Sequence, residues 1–241
     1  MATKTTEAPR LYNTCNITVR IQDVKVDAKP GNLVVSARAY MPQGKDKATG
    51  EYKESFWLTL MYAAARPDEL TEFVSSLNKG EQVDVEGALE FQTWTGKDEQ
   101  THSRYVLWLT TAAMHNGDEL PHNRVRFSTK VYNPDVRYTN AGKPMISVRA
   151  RVGQGKDAAG EYKPAMWLGL KHVADGDEMD DVITLLNDQP KGGRVSVNGR
   201  LAYETWNGED GAKHESLLIW VAEAKAFEGR ETETTDDAEP V

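Results

Sequence analysis

Apolar and polar residues alternate with a period of two over several stretches of this 241-residue chain. Val83, Val85, Gly87, Leu89 and Phe91 share one parity, and Asp84, Glu86, Ala88, Glu90, Gln92 and Trp94 take the other, as in a half-buried strand. Val195, Val197, Gly199, Leu201 and Tyr203 repeat the inward set, with Ser196, Asn198, Arg200, Ala202, Glu204 and Trp206 outward. Ser36 to Tyr40 and Val148 to Val152 alternate in the same way and turn Arg38, Arg149 and Arg151 outward. Phe56, Leu58 and Leu60 point inward, which leaves Trp57 on the polar side with Thr59; Trp167 stands likewise with Gly169 and Lys171. Between the third and fourth strands the period becomes helical, with Leu70, Phe73, Val74 and Leu77 at i, i+3, i+4, i+7, and Met179, Val182, Ile183 and Leu186 likewise. Pro67 suits a first helical turn and Gly80 a position just past the end. Lys45 to Lys53, Thr95 to Arg104, Lys156 to Lys163 and Asn207 to Glu215 read as hairpin loops.

Three strands, one helix and two strands within about 110 residues match the OB-fold, a five-stranded Greek-key barrel with a helix between strands three and four. The order occurs twice. All six tryptophans form three pairs, Trp57 with Trp167, Trp94 with Trp206 and Trp108 with Trp220, at offsets of 110, 112 and 112 residues. Gln43-Gly44-Lys45-Asp46 recurs as Gln154-Gly155-Lys156-Asp157, and Gly50-Glu51-Tyr52-Lys53 as Gly160-Glu161-Tyr162-Lys163. The expectation is an all-β protein of two tandem OB-fold domains, residues 12–120 and 122–229, between an N-terminal tail, 1–11, and an acidic C-terminal tail, 230–241.

One cysteine, Cys15, excludes an internal disulfide and any multi-cysteine metal site. Nothing at the N-terminus reads as a signal peptide or a membrane span, so a cytoplasmic location is expected. The net charge of −8 speaks against a nucleic-acid ligand until it is divided along the chain. Residues 231–241 carry five acids and no base, whereas residues 124–163 hold nine bases and three acids.

No GxxxxGK, HExxH or CxxC is present, and the dispersed histidines, with His102 and His214 paired in a polar loop, read as solvated residues. No enzyme, cofactor or metal is expected. A tryptophan on the polar side of a strand needs a cover, and a nucleobase supplies one because every base has a π-face. Trp57, Trp94, Trp167 and Trp206 meet that condition. Trp108 and Trp220 lie in runs apolar on both faces and read as core or subunit interface.

Asp46-Lys47-Ala48-Thr49-Gly50-Glu51, the run Asn133 to Lys143, and Val195-x-Val197-x-Gly199-Arg200-Leu201 resemble segments of bacterial single-stranded DNA-binding proteins (SSB). The resemblance spans nearly all of the second copy and, more loosely, the first. It implies sequence-independent binding of single-stranded DNA in replication, recombination and repair. Bases would stack on Trp57, Trp94, Trp167 and Trp206. Phosphates would meet Arg38, Lys45, Lys47, Lys53, Arg137, Lys143, Arg149, Arg151, Lys156, Lys163 and Arg200. Tandem-domain members of the family reach four OB-folds as dimers, so the resemblance also implies a homodimer. In the tail, Asp236, Asp237, Pro240 and Val241 stand where the family docks replication and repair proteins.

The chain departs from the family in three ways. Gly44 and Gly155 stand near the family's loop aromatic, the first copy places Asp84, Glu86 and Glu90 on the face expected to meet phosphates, and Val241 replaces an aromatic. A tandem OB scaffold for protein contacts and an RNA-binding chaperone are the competing functions.

Overall fold

In the computed structural model, residues 12–29, 31–46, 49–157, 159–208, 211 and 213–227 are described. Lys47, Asp236, Asp237, Pro240 and Val241 lie outside them. The first half contains β1 (Asn13–Lys29), β2 (Asn32–Met41), β3 (Phe56–Ala64), α1 (Glu69–Ser76), β4 (Gln82–Thr95) and β5 (Thr101–Met114). The second contains β6 (Asn123–Tyr138), β7 (Pro144–Val152), β8 (Met166–Val173), α2 (Asp181–Asn187), β9 (Arg194–Asn207) and β10 (Lys213–Ala226).

In the first half β1 pairs antiparallel with both β2 and β4, β2 with β3, β4 with β5, and β3 with β5 in parallel. The ring β1-β2-β3-β5-β4 therefore closes on itself, which removes free sheet edges. One strand serves two neighbours because it bends: a register shift between Ile21 and Asp23 turns β1 from β4 towards β2. The second half closes identically through β6-β7-β8-β10-β9.

Gly87 and Gly199 sit where the hairpin strands cross most closely. A Cβ on Gly87 would stand 2.1 Å from the Trp108 carbonyl oxygen, and on Gly199 2.2 Å from that of Trp220, so only glycine fits. The core follows the expected parity, with Ile17, Ile21, Leu60, Leu89 and Leu107 in one barrel and Phe127, Ile146, Met166 and Leu170 in the other. Val74 of α1, together with Leu77 just past its end, belongs to the first core, and Ile183 and Leu186 of α2 to the second.

Three local expectations are corrected. α1 starts after Pro67, because Asp68 is the N-cap, accepting from the Thr71 amide at 2.9 Å while the Thr71 hydroxyl bonds back. Met179 precedes the Asp180 cap and stands outside α2. Two of the four hairpin loops are shorter than expected: β4 runs to Thr95 and β5 resumes at Thr101, and β9 runs to Asn207 and β10 resumes at Lys213.

The halves are joined by more than a linker. β1 pairs antiparallel with β6, with Asn13 facing Phe127, Cys15 facing Val125 and Ile17 facing Asn123. Removing the 110-residue offset maps this ladder onto itself, so a local two-fold axis passes through the Cys15–Val125 pair. Asn13 and Asn123 keep the symmetry: each side-chain amide bonds the backbone of Leu89 or Leu201 in both directions, at 2.8 to 3.0 Å. Among the described residues no helix is long and apolar enough to cross a membrane.

Candidate nucleic-acid interface

Strand parity brings Trp57, Trp94 and Trp206 to the outside, where they are 43%, 46% and 50% exposed. Trp167 is half-buried. Each of the four has a cation or an imidazole against its ring. Arg38 stands 4.6 Å above Trp57, whose other neighbour is Tyr40 at 5.0 Å. Arg149 lies 4.2 Å from the Trp167 centroid, with Tyr132 at 5.5 Å. Trp94 faces His102 across its hairpin and stacks on it at 5.6 Å, with the Arg104 guanidinium at 5.4 Å. Trp206 and His214 repeat that stack at 5.6 Å.

The two histidines are therefore strand residues stacked on the tryptophans rather than loop residues, and they stay open to solvent: the His102 side chain is 42% exposed and His214 is exposed. The extended strands produce this, because directly opposed residues of an antiparallel pair share a face. His102 is fixed further by Asp98, whose carboxylate oxygens lie 3.0 and 3.1 Å from Nε2; that hydrogen bonding holds the Asp98 carboxyl below its usual range.

Some predicted phosphate contacts gather beside these rings. Arg151 pairs in register with Trp167, and Arg149 with Gly169 on the same face. Arg200 is exposed opposite Trp220. Lys45 and Lys156 each place an ammonium 4.8 Å from a tyrosine ring, Tyr52 and Tyr162 respectively, and Lys53 is exposed. Others are committed elsewhere. Arg137 pairs with Asp135 at 2.7 Å, and Lys143 donates to the Asp175 carbonyl at 2.5 Å. Lys163 bonds Glu90 of the other half at 3.0 Å.

Two of the three acids on the outer face of β4, Asp84 and Glu90, are engaged within the protein. Burial opposes the charge of Glu90, but Lys163 and the Trp108 indole N–H, 2.5 Å away, outweigh it and hold the carboxyl below its usual range. Asp84 is likewise held low against its desolvation by the Thr18 hydroxyl and by His115, with Nδ1 at 3.0 Å. The outer aromatic Trp108 is thus an anchored, half-buried residue. Trp220 differs: it lies between Lys171 and Arg200 in register, with the Lys171 ammonium 5.9 Å from its ring.

A cleft of about 530 Å³ lies against the first barrel, lined by Lys25, Arg38, Trp57 and Arg104 from one half and Tyr203 and Glu215 from the other. Burial and the Tyr203–Glu215 hydrogen bond push the Tyr203 hydroxyl up, and burial pushes Tyr105 up to about 12. Both phenols are therefore neutral at ordinary pH. A second cleft of about 360 Å³ is lined by Trp94 and Arg104 together with Gln154, Lys163 and Pro164. Among the described residues no group of three or more His, Cys, Asp or Glu is placed to hold a metal ion.

The sequence pattern did not single out Tyr52 and Tyr162, which are 80% and 68% exposed. Their signal was available in the repeated Gly-Glu-Tyr-Lys quartet, but a loop has no parity to mark a side chain as outward.

This geometry defines a class: two OB barrels fused through one continuous sheet, with cation-backed aromatics on their outer faces. No family model matches the chain. It is 26% identical over 167 residues to the single-stranded DNA-binding protein of Deinococcus radiodurans, covering 63% of this chain and 54% of that protein. The chain thus spans about half the length of the curated relative it matches. The crystal structure of the wild-type single-stranded DNA-binding protein from Thermus aquaticus superposes with a TM-score of 0.57 at 15% identity, over 96% of this chain and 100% of that one. A deletion mutant of the Thermus protein gives 0.57 over 95% and 99%. The chain carries the tandem OB-fold of the bacterial single-stranded DNA-binding proteins.

Proposed function

We propose that this protein binds single-stranded DNA without sequence preference and protects it during replication, recombination and repair. One observation carries the reading: four outer tryptophans, each in contact with Arg38, Arg104 and His102, Arg149 or His214, keep ring surface toward solvent. An indole so backed gains from a second π-surface, and any base provides it. The guanidiniums over three of the rings also supply positive charge that suits phosphates. Contacts of this kind read no base edge, so affinity depends on strand flexibility and charge, not on sequence. The relationship to the Deinococcus protein supports the choice of DNA.

Binding of labelled oligo-dT, oligo-U and duplex DNA of equal length, at two salt concentrations, tests the reading. The expected order is oligo-dT strongest and duplex weakest, with a log–log salt slope of about −0.7 per neutralised phosphate. Equal affinity for oligo-U would replace it with an RNA chaperone; no binding to any of the three would leave a protein-interaction scaffold.

The proposal includes a homodimer with four OB-folds, for which light scattering should give about twice 26.9 kDa. It also includes competition between acidic residues 231–241 and DNA for the basic face. Removing those residues should tighten binding at low salt, with the gain fading as the Debye length falls to about 8 Å near physiological ionic strength.

A further inference from the structure

We infer that Tyr52 and Tyr162 are two further base-stacking platforms, placed where a single strand passes from one half of the protein to the other. The inference rests on the single-stranded DNA reading and extends its path.

The first support is construction. Each predicted stacking tryptophan has a cationic or imidazole group against one side of its ring, and the two tyrosines are built the same way. Lys45 Nζ stands 4.8 Å from the centroid of Tyr52, and Lys156 Nζ 4.8 Å from that of Tyr162. In both halves the lysine and tyrosine are also bridged through the backbone across the loop stem. The rings are more exposed than any of the four tryptophans. A tyrosine offers a large apolar surface with few torsions to freeze, so an uncovered ring held in place is well suited to take a base.

The second support is rigidity. Within the loops, the Asp46 amide bonds the Glu51 carbonyl at 2.7 Å and the Lys53 amide bonds that of Gly44 at 2.9 Å; Asp157 to Glu161 and Lys163 to Gly155 repeat this at 2.8 and 2.9 Å. The stems are also clamped to the opposite half. Gln43 Oε1 accepts from the Tyr203 amide at 3.1 Å, and Lys213 bonds Glu54 at 2.5 Å. Gln154 accepts from the Phe91 amide at 2.6 Å and donates to its carbonyl at 2.9 Å, beside the Lys163–Glu90 pair.

The third support is position. Lys213, the partner of Glu54, precedes His214, on which Trp206 stacks, so the Tyr52 loop is fastened to the hairpin that carries Trp206. Lys163, next to Tyr162, lines the same cleft as Trp94. A strand leaving the stacking tryptophan of one half therefore meets a tyrosine loop of the other. Two such crossings follow from the local two-fold arrangement.

The test uses the full chain and anisotropy of labelled oligo-dT. Tyr52→Ala and Tyr162→Ala should each weaken binding by about 5- to 150-fold, the loss for one stacked base, while Tyr52→Phe and Tyr162→Phe stay near wild type. All four variants should keep the wild-type melting temperature, since these rings support no core. Trp206→Ala serves as the reference. If it weakens binding while both alanine variants bind like wild type, the inference is overturned and the single-stranded DNA reading stands. Equal losses in the alanine and phenylalanine variants would overturn stacking by the ring. A wild-type protein that fails to bind oligo-dT would remove the underlying reading as well.

Discussion

Trp167 owes its place to parity, standing between buried Met166 and Leu168, and Trp206 continues the outward parity of β9 beyond the end of its core-facing run. Replacing either by alanine should weaken oligo-dT binding by about 5- to 150-fold, measured by anisotropy, with little change in melting temperature. Gly87 makes the opposite demand. Its missing Cβ leaves room for the Trp108 carbonyl, 2.1 Å from where that atom would be. Gly87→Ala should lower the denaturation midpoint by the equivalent of about 1–3 kcal/mol or more, since backbone has to move. The outward tryptophans were legible in the sequence because a strand side chain has only two directions. Lys163 was not: its partner Glu90 is distant in sequence and in the other half, and no local pattern encodes that meeting.

At the level of elements, order and type were legible and the ends were not. Period two continues through Thr93 to Thr95 and Thr101 to Arg104, but apart from Trp94 these residues are polar, so hydrophobicity gives no sign that the ladder goes on. The extended hairpins matter because they pair Trp94 with His102 and Trp206 with His214. They also receive the Gln43 and Gln154 loops from the opposite half. The Glu90–Lys163 pair in that joint has a pH signature. The carboxyl of Glu90 is lowered in the fold, so its contribution is complete above the usual glutamate value near 4.5 and disappears as pH falls through the lower folded value. Glu90→Gln should cost about 1 kcal/mol at neutral pH by chemical denaturation. The difference from wild type should shrink below the usual glutamate range.

For the whole molecule, duplication predicted two barrels, and the ladder between β1 and β6 makes them one sheet. Two-fold placement does not make the faces equal. Arg149, Arg151 and Arg200 of the second half stand where the first has Arg38, Tyr40 and Ala88. Changing Arg149 and Arg151 together to alanine in the full chain should weaken binding more than Arg38→Ala. It should also flatten the salt slope by about 0.7 for each phosphate no longer neutralised. Equal effects would mean that both halves grip the backbone alike.

The central claim is that bases lie on the four outer tryptophans, each backed by a guanidinium or an imidazole, and intrinsic fluorescence reads those rings directly. Titrating oligo-dT into the wild type and into the Trp57, Trp94, Trp167 and Trp206 alanine variants should show strong quenching in the wild type. Each variant should show a smaller quench and weaker binding. Quenching and affinity unchanged across all four variants would contradict the account.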